Sequence, residues 1–233
     1  MNADAVVLSS VTRAYPGGVT ALDDVSLQVQ RGEFLAVVGQ SGSGKSTLLH
    51  CASGLDTPTS GSVVIGGTEV SRMNETRRAK VRREQVGFIF QSYNLVPSLS
   101  VEQNITLPLR LAGRRPDSAW LAGLVQRTGL TGLLHRAPSE LSGGQRQRVA
   151  VCRALVARPA VVFADEPTGA LDSVTAASVL DLLESLVDDL GQTVIMVTHD
   201  LRAAGRARRV VTMAGGRITH VAAGHRAPVR AAA

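Results

Sequence analysis

The sequence predicts an α/β protein built on a mostly parallel β-sheet that is covered by helices on both faces. Three runs, residues 34–38, 160–164 and 193–197, are apolar at almost every position, as is typical of strands buried on both faces. Helical patterns separate these runs, and buried strands that alternate with helices favour a parallel sheet. With 233 residues, the chain is long enough for one such domain carrying a smaller subdomain.

The first third of the chain combines short β-rich runs with two helical stretches. The strand Phe34–Val38 ends in a glycine-rich turn, and the residues from Lys45 to Cys51 then favour a helix. The other elements predicted here are strands at Val6–Val11, Val25–Val29, Ser62–Ile65 and Val86–Phe90, and a helix at Glu75–Arg83.

The middle of the chain, from about residue 92 to residue 144, has a different character. Four prolines interrupt it, and they punctuate helical stretches at Val101–Leu111 and Asp117–Gly129. This pattern predicts an inserted helical subdomain.

The last third returns to alternating helices and strands. A helix at Gly144–Ala157 leads into the strand Ala160–Ala164, and a helix at Val174–Leu190 leads into the strand Thr193–Val197. A closing β-hairpin is predicted with strands at Arg208–Met213 and Arg217–Val221, and two glycines lie between these strands. Residues 222–233 are predicted to form a flexible tail.

Composition and charge narrow the class of partner. The formal charge is +6, with arginines concentrated in residues 72–83 and 202–230, so anionic lipid headgroups or plain solvation of that face remain alternatives. Aromatic residues make up 3% of the chain and are not interleaved with arginines, so no nucleic-acid partner is expected.

Met1–Ser10 lacks the layout of a signal peptide and no apolar run is long enough for a membrane span, so we expect a cytoplasmic location. Cys51 and Cys152 are predicted to be small core residues.

Residues 39–47 form a glycine-rich loop between a predicted buried strand and a predicted helix. Their pattern is that of a phosphate-binding loop, in which glycines let backbone N–H groups point at phosphate oxygens beside a helix N-terminus. Lys45 is predicted to reach the β- and γ-phosphates, Ser46 to bind Mg²⁺, and Thr47 to contact the α-phosphate. The predicted nucleotide-binding residues are Gly39, Gln40, Ser41, Gly42, Ser43, Gly44, Lys45, Ser46 and Thr47.

Two carboxylates follow the apolar run at residues 161–164. A buried strand that ends in Asp165 places this carboxylate where it can bind Mg²⁺, and Glu166 is predicted to polarise the attacking water. The alternative is a strand followed by an acidic turn, which the phosphate loop in the same chain disfavours.

The segment Leu141-Ser142-Gly143-Gly144-Gln145 lies just before a strong helical pattern. Ser142 and the N–H groups after it are therefore predicted to form a second anion-binding site at a helix N-terminus. Together with the two nucleotide motifs in the right order, these five residues resemble the signature of the ATP-binding-cassette (ABC) family. The resemblance covers nearly the whole chain.

The resemblance implies the fold in more detail. An ABC cassette has a P-loop NTPase (RecA-like) core with a parallel sheet, an antiparallel β subdomain and an inserted α-helical subdomain. Residues 1–233 are then expected to form a single ABC ATPase domain, with the helical subdomain at about residues 92–144.

The resemblance also implies roles for residues that their spacing does not single out. Gln91 resembles the glutamine that contacts Mg²⁺ and senses the membrane partner, and Tyr15 resembles the aromatic residue that stacks on adenine. Asp172 lies in a segment similar to the loop that crosses the dimer interface, and His199 is similar to the switch histidine at the γ-phosphate. The implied catalytic residues are Lys45, Gln91, Glu166 and His199, and the implied nucleotide contacts extend to Tyr15, Ser142, Gly143, Gly144, Gln145 and Asp172.

Finer matches indicate a branch of the family. Phe90–Pro97, Glu102–Ile105, Leu107–Leu109 and Ala164–Gly169 resemble the MacB/LolD-like macrolide-export and lipoprotein-release branch. In that branch the cassette works with an FtsX/MacB-like permease in export, extrusion or mechanotransmission. Ala170 stands where the branch usually has Asn, and Arg208 where an Asp is common, but neither departure removes a catalytic group.

The resemblance implies a function that needs two copies of the chain. With one phosphate loop and one signature, each chain supplies two half-sites, so a head-to-tail homodimer is expected to bind and hydrolyse Mg-ATP and to drive an integral membrane permease from the cytoplasmic face. The alternative is a freestanding soluble ABC ATPase of DNA or translation processes. Such proteins carry long coiled coils or two cassettes, and the sequence has neither feature.

Overall fold

In the computed structural model, which describes residues 4–224, ten strands form two sheets with seven α-helices around them. The strands are β1 (Asp4–Tyr15), β2 (Val19–Gln30), β3 (Phe34–Val38), β4 (Ser60–Ile65), β5 (Thr68–Glu69), β6 (Val86–Ile89), β7 (Val161–Asp165), β8 (Val194–Val197), β9 (Arg209–Ala214) and β10 (Arg217–Ala223). The helices are α1 (Lys45–Ala52), α2 (Glu75–Gln85), α3 (Val101–Leu111), α4 (Ser118–Arg127), α5 (Gly143–Leu155), α6 (Ser173–Leu190) and α7 (Leu201–Ala204).

The larger sheet has the strand order β10-β9-β3-β8-β7-β6. Its strands are parallel except for the edge strand β10, which is antiparallel to β9. Phe34 and Ala36 of β3 pack into one hydrophobic cluster, whereas Leu35 and Val37 pack into another on the opposite face. Because both faces are buried, β3 has no solvent-facing position, and this explains the apolar runs that predicted the α/β class.

The smaller sheet, of order β2-β1-β4-β5, is antiparallel and packs with α1 against one face of the larger sheet. Val6, Leu22 and Ile65 share a cluster there with Leu49 of α1 and Phe163 of β7. The predicted antiparallel β subdomain is confirmed, and its position brings the β1–β2 turn beside the loop that follows β3.

Helices α3 to α7 cover the other face of the larger sheet. Ile105 and Leu124 of the predicted insertion pack in one cluster with Cys152 of α5 and Met196 of β8. Burial raises the pKa of the Cys51 and Cys152 thiols to about 12, which agrees with their predicted place in the core.

The predicted elements differ from the structure mainly at their ends. The strand predicted at Val6–Val11 extends to Tyr15, because the residues after Val11 pair with β2 across the turn. Apolar and polar side chains do not alternate regularly in these residues, so the sequence pattern did not indicate a strand there. The strand β5 and the helix α7 are too short to leave a periodic pattern. Of the predicted flexible tail, residues 222–223 belong to β10, and residues 225–233 lie outside the described residues.

Candidate active site

An open cleft of about 490 Å³ lies at the carboxyl ends of β3 and β7. The carboxyl edge of a parallel sheet is where such folds bind ligands. The structure brings ten predicted site residues together in its lining, and these are Tyr15, Ser41, Gly42, Gly44, Lys45, Ser46, Thr47, Asp165, Glu166 and His199.

The loop after β3 has a conformation that only glycine permits at two positions. Gly39 has a φ of 156°, and a Cβ there would lie 2.4 Å from the Met213 carbonyl oxygen. Gly44 has a φ of 102°, and its Cβ would lie 2.4 Å from the Ala21 carbonyl oxygen. The Lys45 ammonium lies along this loop and donates to the carbonyl oxygens of Gly39 (2.7 Å) and Gln40 (2.9 Å).

Helix α1 starts at this loop without a side-chain cap. Its N-cap residue is Gly44, whereas the other six α-helices of the described chain are capped by Asn74, Ser100, Asp117, Ser142, Asp172 and Asp200. The first N–H groups of a helix have no acceptor within it, and the helix dipole places partial positive charge there. The N-terminus of α1 therefore offers donors to an anion in the cleft.

Asp165 ends β7 and is half-buried in the cleft. Burial raises the pKa of this carboxyl above its ordinary value, and the neighbouring Glu166 charge adds to the effect, while His50 and Lys45 oppose it. A carboxylate whose ionised form is disfavoured in this way gains from a nearby cation.

Glu166 is held in place by two side chains at the end of β8. Its Oε1 accepts a hydrogen bond from His199 Nδ1 (2.8 Å), and its Oε2 accepts one from the Thr198 hydroxyl (3.2 Å). The Glu166 backbone has a φ of 47°, a left-handed conformation that costs a residue with a Cβ about 1–2 kcal/mol. The surrounding contacts stabilise this conformation and direct the carboxylate into the cleft.

Other predicted site residues lie elsewhere in the chain. Gln91 and Asp172 are not among the lining residues in the described structure. The Gln91 amide lies beside Gly169, and the Asp172 carboxylate caps α6 by accepting from the N–H groups of Val174 and Thr175. The lining residues also do not include Ser142 to Gln145, which begin α5 next to Leu171 and Thr175. A second group of predicted site residues therefore lies outside the cleft that contains the phosphate loop. It consists of the signature segment, residues 141–145, and the neighbouring residues 171–175.

Sequence reasoning missed two polar side chains that hold this second group together. The buried Gln147 Nε2 donates to the Pro167 carbonyl oxygen (2.6 Å), which ties α5 to the segment after Glu166. Arg153 donates to the carbonyl oxygens of Tyr93 (2.7 Å) and Asn94 (2.5 Å), in the loop that follows Gln91. A polar residue on the apolar face of a predicted helix was the available signal for Gln147.

The fold and the cleft define a nucleotide-binding protein of the phosphate-loop class. Comparison with known families gives a match to the ABC transporter family over residues 22–169. The chain is 48% identical over 225 residues to the macrolide export ATP-binding/permease protein MacB of Hyphomonas neptunium, an alignment that covers 94% of the chain and 34% of MacB. It is 47% identical over 214 residues to the lipoprotein-releasing system ATP-binding protein LolD of Bordetella avium, covering 91% of the chain and 93% of LolD.

Among solved structures, the chain resembles the dimeric post-hydrolysis state of the ATP-binding cassette MJ0796 bound to ADP and Pi. The TM-score is 0.84 at 36% identity, over 94% of the chain and 98% of MJ0796. The chain therefore belongs to the ABC transporter family, as one of its ATP-binding ATPase cassettes. It spans about a third of the length of the MacB relative.

The raised pKa of Asp165 leads to a prediction about stability. The folded state binds the Asp165 proton more tightly than the unfolded state, so the free energy of unfolding falls as pH rises from the ordinary Asp pKa through the raised pKa, and the penalty is present above it. We expect Asp165→Asn to raise the Tm at pH 7 in the absence of nucleotide and to abolish ATP hydrolysis. At a pH below the ordinary Asp pKa the gain in Tm should disappear, and a Tm below wild type at pH 7 would contradict the argument.

Proposed function

We propose that residues 1–233 act as one cassette that binds and hydrolyses Mg-ATP as a head-to-tail homodimer and drives a separate membrane permease. The observation that carries this proposal is the division of the site into two groups. The cleft holds the phosphate loop, Asp165 and the Glu166–His199 pair, but the signature segment belongs to a different part of the same chain.

In this proposal the chain binds the nucleotide at both ends of the cleft. The N–H groups at the start of α1 and the Lys45 ammonium donate to the phosphates, and Lys45 leaves the carbonyl oxygens of Gly39 and Gln40 for this purpose. The base stacks on Tyr15, which lines the cleft beside Val19 and Ala21. Gly39, Gln40 and Ser43 are not in the described lining of the cleft. Within the loop, the N–H of the buried Ser43 donates to the carbonyl oxygen of the exposed Gln40 (3.2 Å).

The residues of the cleft fit Mg²⁺, the metal that the family implies. Within the described residues no group of three or more His, Cys, Asp and Glu side chains is arranged to hold a metal ion. Mg²⁺ is commonly bound by one or two protein oxygens together with substrate phosphates and waters, and the Ser46 hydroxyl and the half-buried Asp165 carboxylate supply those oxygens. When bound, the ion neutralises phosphate charge. Gln91 is proposed as a further ligand, although its amide lies beside Gly169.

Glu166 is proposed as the general base of hydrolysis. Its carboxylate accepts a proton from the water that attacks the γ-phosphate, while Thr198 and His199 hold it in place. For His199 to donate to the ionised carboxylate, its proton must be on Nδ1, which leaves Nε2 for other contacts in the cleft.

The signature completes the site from the second copy. The Ser142 hydroxyl accepts from the Gln145 N–H in a capping box, so its own proton remains available to a γ-phosphate, together with the N–H groups at the start of α5. A head-to-tail arrangement supplies these donors to the cleft of the partner, and Asp172 is proposed to lie at this interface. MJ0796, which is a dimer in its structure with ADP and Pi, supports a dimeric state.

The permease assignment rests on the relatives. The LolD relative, which the chain covers almost fully, is an ATP-binding protein of a lipoprotein-releasing system, and MacB carries its permease in the same chain. We therefore propose an FtsX/MacB-like permease as the partner and the cytoplasmic face of the membrane as the location. No helix among residues 4–224 has the length and apolarity needed to cross a bilayer.

The partner can be identified directly. Glu166→Gln, held in ATP, is to be purified from gently detergent-extracted native membranes, and the proteins that accompany it identified by mass spectrometry, with Lys45→Ala as the control in which nucleotide binding is weakened. An integral membrane protein in matched amount is the expected result. Only soluble partners, or none, would favour the freestanding ATPase instead.

A further inference from the structure

Tyr15 is held by two residues that lie behind it. Its hydroxyl donates to Asp56 Oδ2 (2.9 Å), and the Arg13 guanidinium carbon lies 4.5 Å from the centroid of its ring. Arg13 Nε donates to the same oxygen of Asp56 (2.8 Å). The described lining of the cleft includes Tyr15 but not Arg13 or Asp56, so the two residues contact the ring from outside the cleft.

The Asp56 carboxylate is well suited to hold both partners. Burial by itself would raise its pKa, but hydrogen bonds from Tyr15, the Thr57 N–H and Arg13 outweigh this effect and hold the pKa below the ordinary value. Asp56 is therefore ionised at neutral pH, when it accepts from all three groups at once.

The loop that carries Asp56 is itself fixed from two sides. It follows α1 directly, and the N–H groups of Leu55 and Asp56 both donate to the His50 carbonyl oxygen of that helix. From α2, Arg82 donates to the Gly54 carbonyl oxygen (2.7 Å) and Arg78 donates to the Thr57 hydroxyl. Part of the arginine-rich segment 72–83 thus faces this loop and not the solvent.

We propose that Asp56 is a positioning residue for the nucleobase, since it holds the Tyr15 ring, which lines the cleft, with Arg13 against one face. This inference rests on the proposed ATP-binding function. Asp56 lies just beyond the C-terminus of α1, the helix whose N-terminus faces the phosphates. The helix therefore sets the distance between the base platform and the phosphate loop.

A fixed ring favours binding because its ordering is complete before the base arrives. The base does not change during hydrolysis, so the ring contributes equally to the ground state and the transition state. Loss of Asp56 is therefore expected to raise KM for ATP while kcat stays nearly constant. Inorganic triphosphate lacks the base and should not respond to Asp56 at all.

The test measures ATP hydrolysis and, by titration calorimetry, the binding of ATP and of inorganic triphosphate. For Asp56→Ala and Tyr15→Phe we expect KM for ATP to rise roughly 3- to 10-fold, the usual worth of one hydrogen bond, with kcat within about twofold of wild type. Asp56→Asn, which keeps an acceptor for the Tyr15 hydroxyl, should recover most of the affinity. Triphosphate binding should be unchanged in all three.

The Tyr15→Ala background separates positioning from general structural damage. If Asp56 acts through the ring, Asp56→Ala adds nothing further in that background. Additive effects, or equal weakening of ATP and triphosphate, would overturn the inference, and so would tighter ATP binding by Arg13→Ala, since the guanidinium would then cover the face that the base needs. If Asp56→Ala does not fold, Tyr15→Phe and Asp56→Asn still decide the matter. A wild-type protein that binds neither ligand would instead refute the proposed function.

Discussion

Replacing Glu166 with glutamine is expected to slow ATP turnover by about 10²–10⁴, the usual contribution of a general base. The amide oxygen can still accept from His199 Nδ1, so the site keeps its geometry and loses only the group that takes the proton. ATP binding is therefore expected to persist, and the ATP-bound dimer to accumulate, because the contacts with the γ-phosphate are no longer removed by hydrolysis. Phosphate release, equilibrium titration and light scattering measure the three quantities.

The matched control is Glu84→Gln, the same chemical change at an exposed position of α2. It should turn over ATP at the wild-type rate. Wild-type turnover by Glu166→Gln would remove this residue from the mechanism.

Replacing Lys45 with alanine is expected to weaken ATP binding roughly 10- to 100-fold, the effect of losing hydrogen bonds to a charged group. The Lys45 ammonium is the cation of the phosphate loop, and its hydrogen bonds to the Gly39 and Gln40 carbonyl oxygens hold it near the N-terminus of α1. Inorganic triphosphate should lose a similar factor, because the interaction is with the phosphates and not with the base.

The chain offers a close control for this change in its other lysine, Lys80, which is exposed on α2. Lys80→Ala should bind ATP as the wild type does. Unchanged ATP affinity in Lys45→Ala, measured by equilibrium titration, would contradict the assignment of the loop.

Local patterns predicted the parts of the site that are continuous in sequence. The phosphate loop was predicted because residues 39–47 contain every group it needs, and Asp165 and Glu166 because a buried strand ends there. The helix α3 was predicted from end to end, and in the structure a capping box of Ser100 and Gln103 fixes its start.

Contacts between distant segments left no such signal. Asp56 meets Tyr15 across 41 residues, and Arg153 meets Tyr93 across 60 residues, and neither pair has a spacing that marks it. The position of Gln91 beside Gly169 and the use of Asp172 as a helix cap likewise depend on tertiary packing. For Gln91 and Asp172 the family resemblance implied a role, and the structure shows which residues they contact.

The most direct test of the central claim, that one active site is built from two chains, mixes two inactive variants. Lys45→Ala lacks a working phosphate loop, and Ser142→Glu places a negative charge where a γ-phosphate would bind, at a helix N-terminus that tolerates Glu. In a head-to-tail heterodimer of the two, one site has both halves intact, so ATPase activity is expected to appear on mixing.

The doubly substituted chain, mixed with wild type, has a defect in each site of the heterodimer and should only reduce the wild-type activity. This mixture is the control for the measurement. Activity that rises well above both parents on mixing Lys45→Ala with Ser142→Glu is the result that the account predicts. A mixture that stays at the level of its parents, although both variants fold and associate, would contradict it.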